Sequence, residues 1–135
     1  MTGVHVNLST MTVADLRHSP VMTIRSGDSL WDAWQLMFVS GMRTLAVVDE
    51  RGSSIGVLSD RAILTDLPIT EHHLAGRQVS DVMSSPGSVT DATSAQVAAN
   101  RMARYSVDAL PIVTDAGRPI ALLTAADLID WVARD

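Results

Sequence analysis

Two short stretches set a hydroxyl at the end of an aliphatic run, with polar or small residues just after it: Ser59-Asp60-Arg61-Ala62 and Thr124-Ala125-Ala126-Asp127. Where a strand gives way to a helix, a Ser or Thr caps the first turn. A carboxylate three residues on is favoured by the helix dipole, and the unpaired amides there attract phosphate. Asp127 therefore reads as a first-turn acid with Thr124 as its cap. The remaining chemistry-bearing residues combine poorly. The chain has no cysteine, which excludes disulfides, thiolate zinc sites and a cysteine nucleophile. The four histidines are His5, His18, His72 and His73. His72 and His73 are adjacent, so on a helix they point about 100° apart and cannot readily share a metal. No metal site is expected. No Ser-His-Asp set falls on turn elements and no Gly-rich phosphate loop is present. An enzyme is not expected.

Composition narrows the class further. Of 135 residues, 47% are hydrophobic and 4% aromatic, so the core must be aliphatic, with seven Met suited to filling gaps. The net charge of −5 and the lack of a Lys/Arg run give no reason to expect nucleic acid. The N-terminus lacks the basic-then-apolar pattern of a secretory signal. No apolar run approaches the roughly 18 residues of a spanning helix. The expectation is a cytoplasmic protein without membrane contact.

An internal repeat supplies the elements that position the two junctions. Sliding the sequence by 65 residues lays Leu45-Ala46-Val47-Val48 on Leu110-Pro111-Ile112-Val113, and Ile55-Gly56-Val57-Leu58-Ser59 on Ile120-Ala121-Leu122-Leu123-Thr124. Thr23-Ile24 falls on Ser88-Val89, and Val13-Ala14-Asp15-Leu16 matches Val79-Ser80-Asp81-Val82 one residue out of phase. Each copy has a Ser-Pro segment (Ser19-Pro20, Ser85-Pro86), then a short extended piece, then a helix. In the first copy Ser29 caps that helix, Leu30, Ala33, Trp34 and Met37 form its apolar face, and Gly41 ends it. Trp31 lies off that face, where a partner could reach it. Trp34 and Trp131 read as packing or dimer-contact groups. Strands are expected near 45–49, 54–58, 110–113 and 119–123, with closing helices near 60–66 and 125–134. Neither copy can bury its strands alone. The fold expected is α+β: two β-α-β-β-α repeats, 1–66 and 79–135, packed through their sheets about a pseudo-twofold axis. Residues 67–78 are the linker.

Several features together resemble the cystathionine-β-synthase (CBS) repeat family across nearly the whole chain. They are Val79-Ser80-Asp81-Val82-Met83, the helix containing Leu36-Met37, the run Ala109-Leu110-Pro111-Ile112-Val113, and Ile120 through Asp127. The resemblance implies a disc-like pair that dimerises and binds adenosyl compounds, such as AMP, ADP, ATP or S-adenosylmethionine, in clefts between the repeats. In the family signature the hydroxyl residue serves ribose or phosphate and the Asp accepts from both ribose hydroxyls, in charge-assisted hydrogen bonds. Thr124 and Asp127 fit that signature; Ser59 keeps the hydroxyl, but Ala62 replaces the Asp. Family sites are assembled crosswise. Thr124 and Asp127 should thus face Thr23, Ile24, Thr44, Leu45 and Ala46. A weaker second cleft would combine Ser59 with Ser88, Val89 and Leu110. Asp60 points about 200° from the missing acid's direction and cannot replace it. Arg43 and Arg61 read as solvated charges or phosphate contacts. The leading expectation is a regulatory homodimer that senses an adenosyl ligand and signals to a partner protein. The alternative is an interaction module that dimerises or docks a partner without a nucleotide.

Overall fold

The computed structural model describes residues 10–16 and 18–133, with side chains through residue 130. His5 and the Trp131 side chain lie outside the described residues. The first element of the described residues is a 3-10 turn, Val13–Asp15. The first repeat then runs β1 (Thr23–Arg25), α1 (Leu30–Ser40), β2 (Thr44–Val48), β3 (Ser54–Ser59) and α2 (Asp60–Leu64). Two short helices follow, α3 (Glu71–Ala75) and α4 (Val79–Val82). The second repeat has α5 (Ala95–Tyr105), β4 (Ala109–Val113), β5 (Pro119–Thr124) and α6 (Ala125–Ala133).

The 65-residue offset survives at the level of register. β2 pairs antiparallel with β3 from Thr44↔Ser59 to Val48↔Ser54, with an irregularity between Val47 and Val48. β4 pairs with β5 from Ala109↔Thr124 to Val113↔Pro119, with the irregularity at the matching place, between Ile112 and Val113. Ile24 lies parallel to Val47 in the first sheet, and Val89 lies parallel to Ile112 in the second. In α1 the Ser29 hydroxyl accepts the Asp32 N–H, and in α5 the Ser94 hydroxyl accepts the Val97 N–H. Gly41 closes α1 in the left-handed conformation at φ 73°, as its type allows. The equivalent position after α5 is Ser106, at φ 53°, a conformation that costs a residue with a Cβ about 1–2 kcal/mol.

The repeats exchange their opening segments. Val13 donates its N–H to Thr93 O (2.8 Å), and Ala95 donates to Met11 O (2.8 Å), so the first turn of the chain caps the second repeat's α5. Symmetrically, Leu30 donates to Arg77 O (2.9 Å) and Val79 to Asp28 O (2.9 Å). The cores follow the backbone. Val79 joins Leu30, Leu45, Leu58 and Ile63, whereas Val13 and Leu16 join Val89, Leu110, Ile112 and Leu123. Each of these aliphatic side chains contributes about 1.5–3 kcal/mol by leaving water.

The segment 67–78, expected as the linker, contains α3, whose Leu74 is fully buried in the first core. α3 packs on α1 and broadens the covered face of that helix. Trp31, expected to be available to a partner, is accordingly half-buried against the first core. The apolar residues that α1 exposes are Phe38 (87%) and Val39 (83%). In the same connection the Asp66 carboxylate accepts from Arg77 Nε at 3.0 Å and lies 3.2 Å from His73 Nε2. The Arg77 hydrogen bond holds Asp66 below its ordinary carboxylate pKa, against an opposing effect of desolvation.

Candidate functional site

The two sheets meet through β3 and β4. This contact brings the heads of α2 and α6 to one crevice, because both helices start directly where their strands end. A hollow of about 340 Å³ there is lined by Arg43, Thr44, Ser59, Asp60 and Arg61 from the first repeat and by Asp108, Ala109, Thr124, Ala125 and Ala126 from the second. Its cations, Arg43 and Arg61, both come from the first repeat. Arg43 pairs with Asp60 at 3.5 Å, and Arg61 crosses the crevice to Asp108 at 3.0 Å. The Arg61–Asp108 side chains are 77% and 70% exposed. Such open pairs are worth about 0–1 kcal/mol and exchange readily for another anion.

At the α6 junction, the Asp127 N–H donates to Thr124 Oγ1 (3.1 Å) and the Thr124 N–H donates to Asp127 Oδ2 (2.9 Å). This reciprocal pair satisfies two amides of the helix end. The Asp127 carboxylate also accepts the Ser19 hydroxyl, at 3.1 Å to Oδ2 and 3.3 Å to Oδ1, and Asp127 is 6% exposed. Ser19 is held there by backbone pairing with β5: its N–H donates to Leu122 O (2.8 Å), and the Leu122 N–H donates back (2.9 Å).

The α2 junction has half of this arrangement. The Ala62 N–H donates to Ser59 Oγ at 3.1 Å, with no carboxylate to reciprocate. Ser84 pairs with Val57 of β3 by two backbone bonds of 2.9 Å, as Ser19 pairs with Leu122. In place of an enclosed carboxylate there is a hollow of about 210 Å³. Ser59, Arg61, Ala62, Thr65, Ser84, Ser106 and Asp108 are among its lining residues. The α2 junction thus lacks the carboxylate that the α6 junction holds, and a hollow lies beside it.

The structure separates the residues singled out from sequence. Thr44 and Thr124 share the central hollow, and Ser59 lines both hollows. Thr23 and Ile24 line a different hollow, toward the hairpin tips, with Arg25 and Arg118. Ile24, Leu45, Ala46, Val89 and Leu110 are 8% exposed or less, so their side chains are committed to the core and only their backbone could meet a ligand. The Ser88 carbonyl accepts from Arg101 at 2.6 Å, beside α5. Ser19, on the Asp127 carboxylate, and Ser84, Ser106 and Asp108, in the hollows, are among the residues that the sequence reading passed over. The duplicated Ser-Pro segment was a visible signal for Ser19, and the 65-residue offset lays Ser19 on Ser84. Among the described residues no cluster of three His, Cys, Asp or Glu side chains is arranged to hold a metal, and no helix is long and apolar enough to cross a membrane.

Comparison with known proteins matches this arrangement. The family model described as CBS domain matches residues 13–68 and again 79–134. A homoserine O-acetyltransferase of Methanococcoides burtonii is 31% identical over 93% of this chain, which spans 25% of that relative's length. A CBS domain-containing protein of Dictyostelium discoideum is 28% identical over 90% of this chain and 91% of its own. Among solved structures, CBSX2 in complex with AMP is 26% identical, with a TM-score of 0.70 and coverage of 92% and 97%. The CBS domain pair of protein MJ0100, solved with 5′-methylthioadenosine and S-adenosyl-L-methionine, has a TM-score of 0.74 at 19% identity, covering 91% of this chain and 96% of its own. The CBS domain of a bacterial CNNM/CorC family Mg2+ transporter, solved with ATP, has a TM-score of 0.76 at 22% identity, covering 93% of this chain and 89% of its own. With two matched repeats that fill the described chain and pack about a shared crevice, the protein belongs to the CBS-domain family as a tandem pair.

Proposed function

We propose that this CBS pair is a regulatory module that binds an adenosyl ligand, AMP, ADP, ATP or S-adenosylmethionine, in the crevice between its repeats, and that it catalyses no reaction itself. The observation that carries this reading is the crevice at the heads of α2 and α6, where Thr44, Ser59, Arg61 and Thr124 converge from both repeats. Hydroxyls and guanidiniums suit a phosphate, and Asp127 suits a ribose diol. Relatives of the same fold, solved with AMP, with S-adenosyl-L-methionine and with ATP, support the ligand class. Thr44 would flank the first ligand, with Leu45 and Ala46 contributing backbone groups, while Thr23 and Ile24 would meet it only if it extended toward the separate hollow that they line. Ser59, Ser88, Val89 and Leu110 would belong to the second cleft. The module would act as a cytoplasmic homodimer, covering Phe38 and Val39, and a partner protein would read the change in angle between repeats. The ligand's differential affinity for the two shapes would set the size of that switch.

A second reading, an interaction module without a nucleotide, draws on two observations. The Asp127 carboxylate is already occupied by Ser19, and Ala62 removes its counterpart. Calorimetry with AMP, ATP and S-adenosylmethionine on wild type and Asp127→Ala separates the readings. Sensing predicts micromolar binding of one ligand, weakened at least tenfold in the variant. No heat with any of the three would favour the interaction module.

A further inference from the structure

We infer that Ser19 is a competitor built into the first cleft, an internal hydroxyl that holds the ribose-accepting carboxylate shut until a ligand diol replaces it. The inference rests on the nucleotide reading above and adds a residue that sets affinity. Three observations carry it. The Ser19 hydroxyl lies within hydrogen-bond distance of both oxygens of Asp127, at 3.3 and 3.1 Å, so it occupies the space from which a ribose hydroxyl would have to donate. Asp127 is 6% exposed, so a ligand cannot reach both oxygens while Ser19 stays bonded. The pseudo-symmetric cleft supplies the control. Ser84 holds Ser19's place against β3, the residue at Asp127's place is Ala62, and the two line a hollow of about 210 Å³.

The exchange needs no backbone rupture. Ser19 is fixed by its two main-chain bonds to Leu122, at 2.8 and 2.9 Å, so turning its side chain about one bond frees the carboxylate. A ligand with two adjacent hydroxyls trades one internal hydrogen bond for two. A ligand with a single hydroxyl only replaces what it displaces, so Ser19 favours intact ribosides.

The test uses the full chain as wild type, Ser19→Ala, Asp127→Ala and the double variant. Each is titrated calorimetrically with AMP, ATP and S-adenosylmethionine, and each is unfolded in urea without ligand. Ser19→Ala should be less stable than wild type yet bind about tenfold more tightly, since the carboxylate then keeps only the Thr124 N–H and no side-chain hydroxyl. A merely structural residue would lose stability and affinity together. The gain should vanish in the Asp127→Ala background, as a double-mutant cycle requires of a direct pair. Equal or weaker binding by Ser19→Ala, with wild-type binding intact, would overturn the competitor role and leave the nucleotide reading standing. Absence of binding in wild type and Ser19→Ala alike would remove the nucleotide reading, and the competitor with it.

Discussion

Replacing Ala62 with Asp should stabilise the protein, although it adds a carboxylate to an acidic chain. The Ala62 N–H already donates to Ser59 Oγ at 3.1 Å, matching the Asp127 N–H on Thr124 at 3.1 Å. An Asp at 62 would supply the missing half. Its carboxylate could accept the Ser59 N–H and reach the Ser84 hydroxyl across the 210 Å³ hollow. Completing the cap contributes about 1 kcal/mol and the first-turn negative charge about 0.5 kcal/mol. Lost helix propensity costs about 0.5 kcal/mol, and repulsion is reduced because Asp60 is paired with Arg43 and Asp108 is exposed and screened. The net gain is about 1 kcal/mol. With a urea m-value of about 2 kcal/mol/M, the midpoint should rise by about 0.5 M at unchanged slope. Tryptophan fluorescence reads the transition. A midpoint that falls at constant slope would refute the claim that the two junctions are equivalent frames differing by one acid.

Three further outcomes follow from the packing and the charges. Val13→Ala and Val79→Ala should each cost about 2 kcal/mol, and hydrogen exchange should show Val13→Ala loosening β4 and β5 but Val79→Ala loosening β2 and β3, because each side chain lies in the other repeat's core. Asp66 has a folded pKa below its unfolded value, so its stabilising effect is full above the ordinary carboxylate pKa and disappears as pH falls through the folded one. Asp66→Asn should flatten the acid limb of the urea-midpoint profile. Ser106→Gly should raise the urea midpoint by relieving the φ 53° conformation, a gain of about 0.5–1 kcal/mol.

The hairpins and main helices were legible because their signals are local. Short aliphatic runs, the Ser cap at 29, and the 65-residue offset each depend on a few neighbouring residues. The exchange of opening segments was not legible, since Val13 and Val79 look alike in sequence and nothing local says which core receives which. The site divided along the same line. Thr124, Asp127 and the gap at Ala62 were readable from one four-residue pattern. Ser19 was visible as half of a duplicated Ser-Pro pair, but that pairing aligns it with Ser85, whereas the backbone sets it opposite Ser84's place. The Ser-Pro dipeptides are 66 residues apart, whereas the 65-residue offset of the strands lays Ser19 on Ser84. The open cleft was equally hidden, because a missing carboxylate reads as lost binding in sequence, while in space it leaves a hollow.

The most direct test of the account is an amide chemical-shift titration of the uniformly labelled protein with ATP. Binding in the crevice predicts saturable shifts concentrated at Thr44, Ser59, Arg61, Asp108 and Thr124. Saturable shifts confined to the outer faces of α1 and α5, or no shifts up to millimolar ATP, would contradict it.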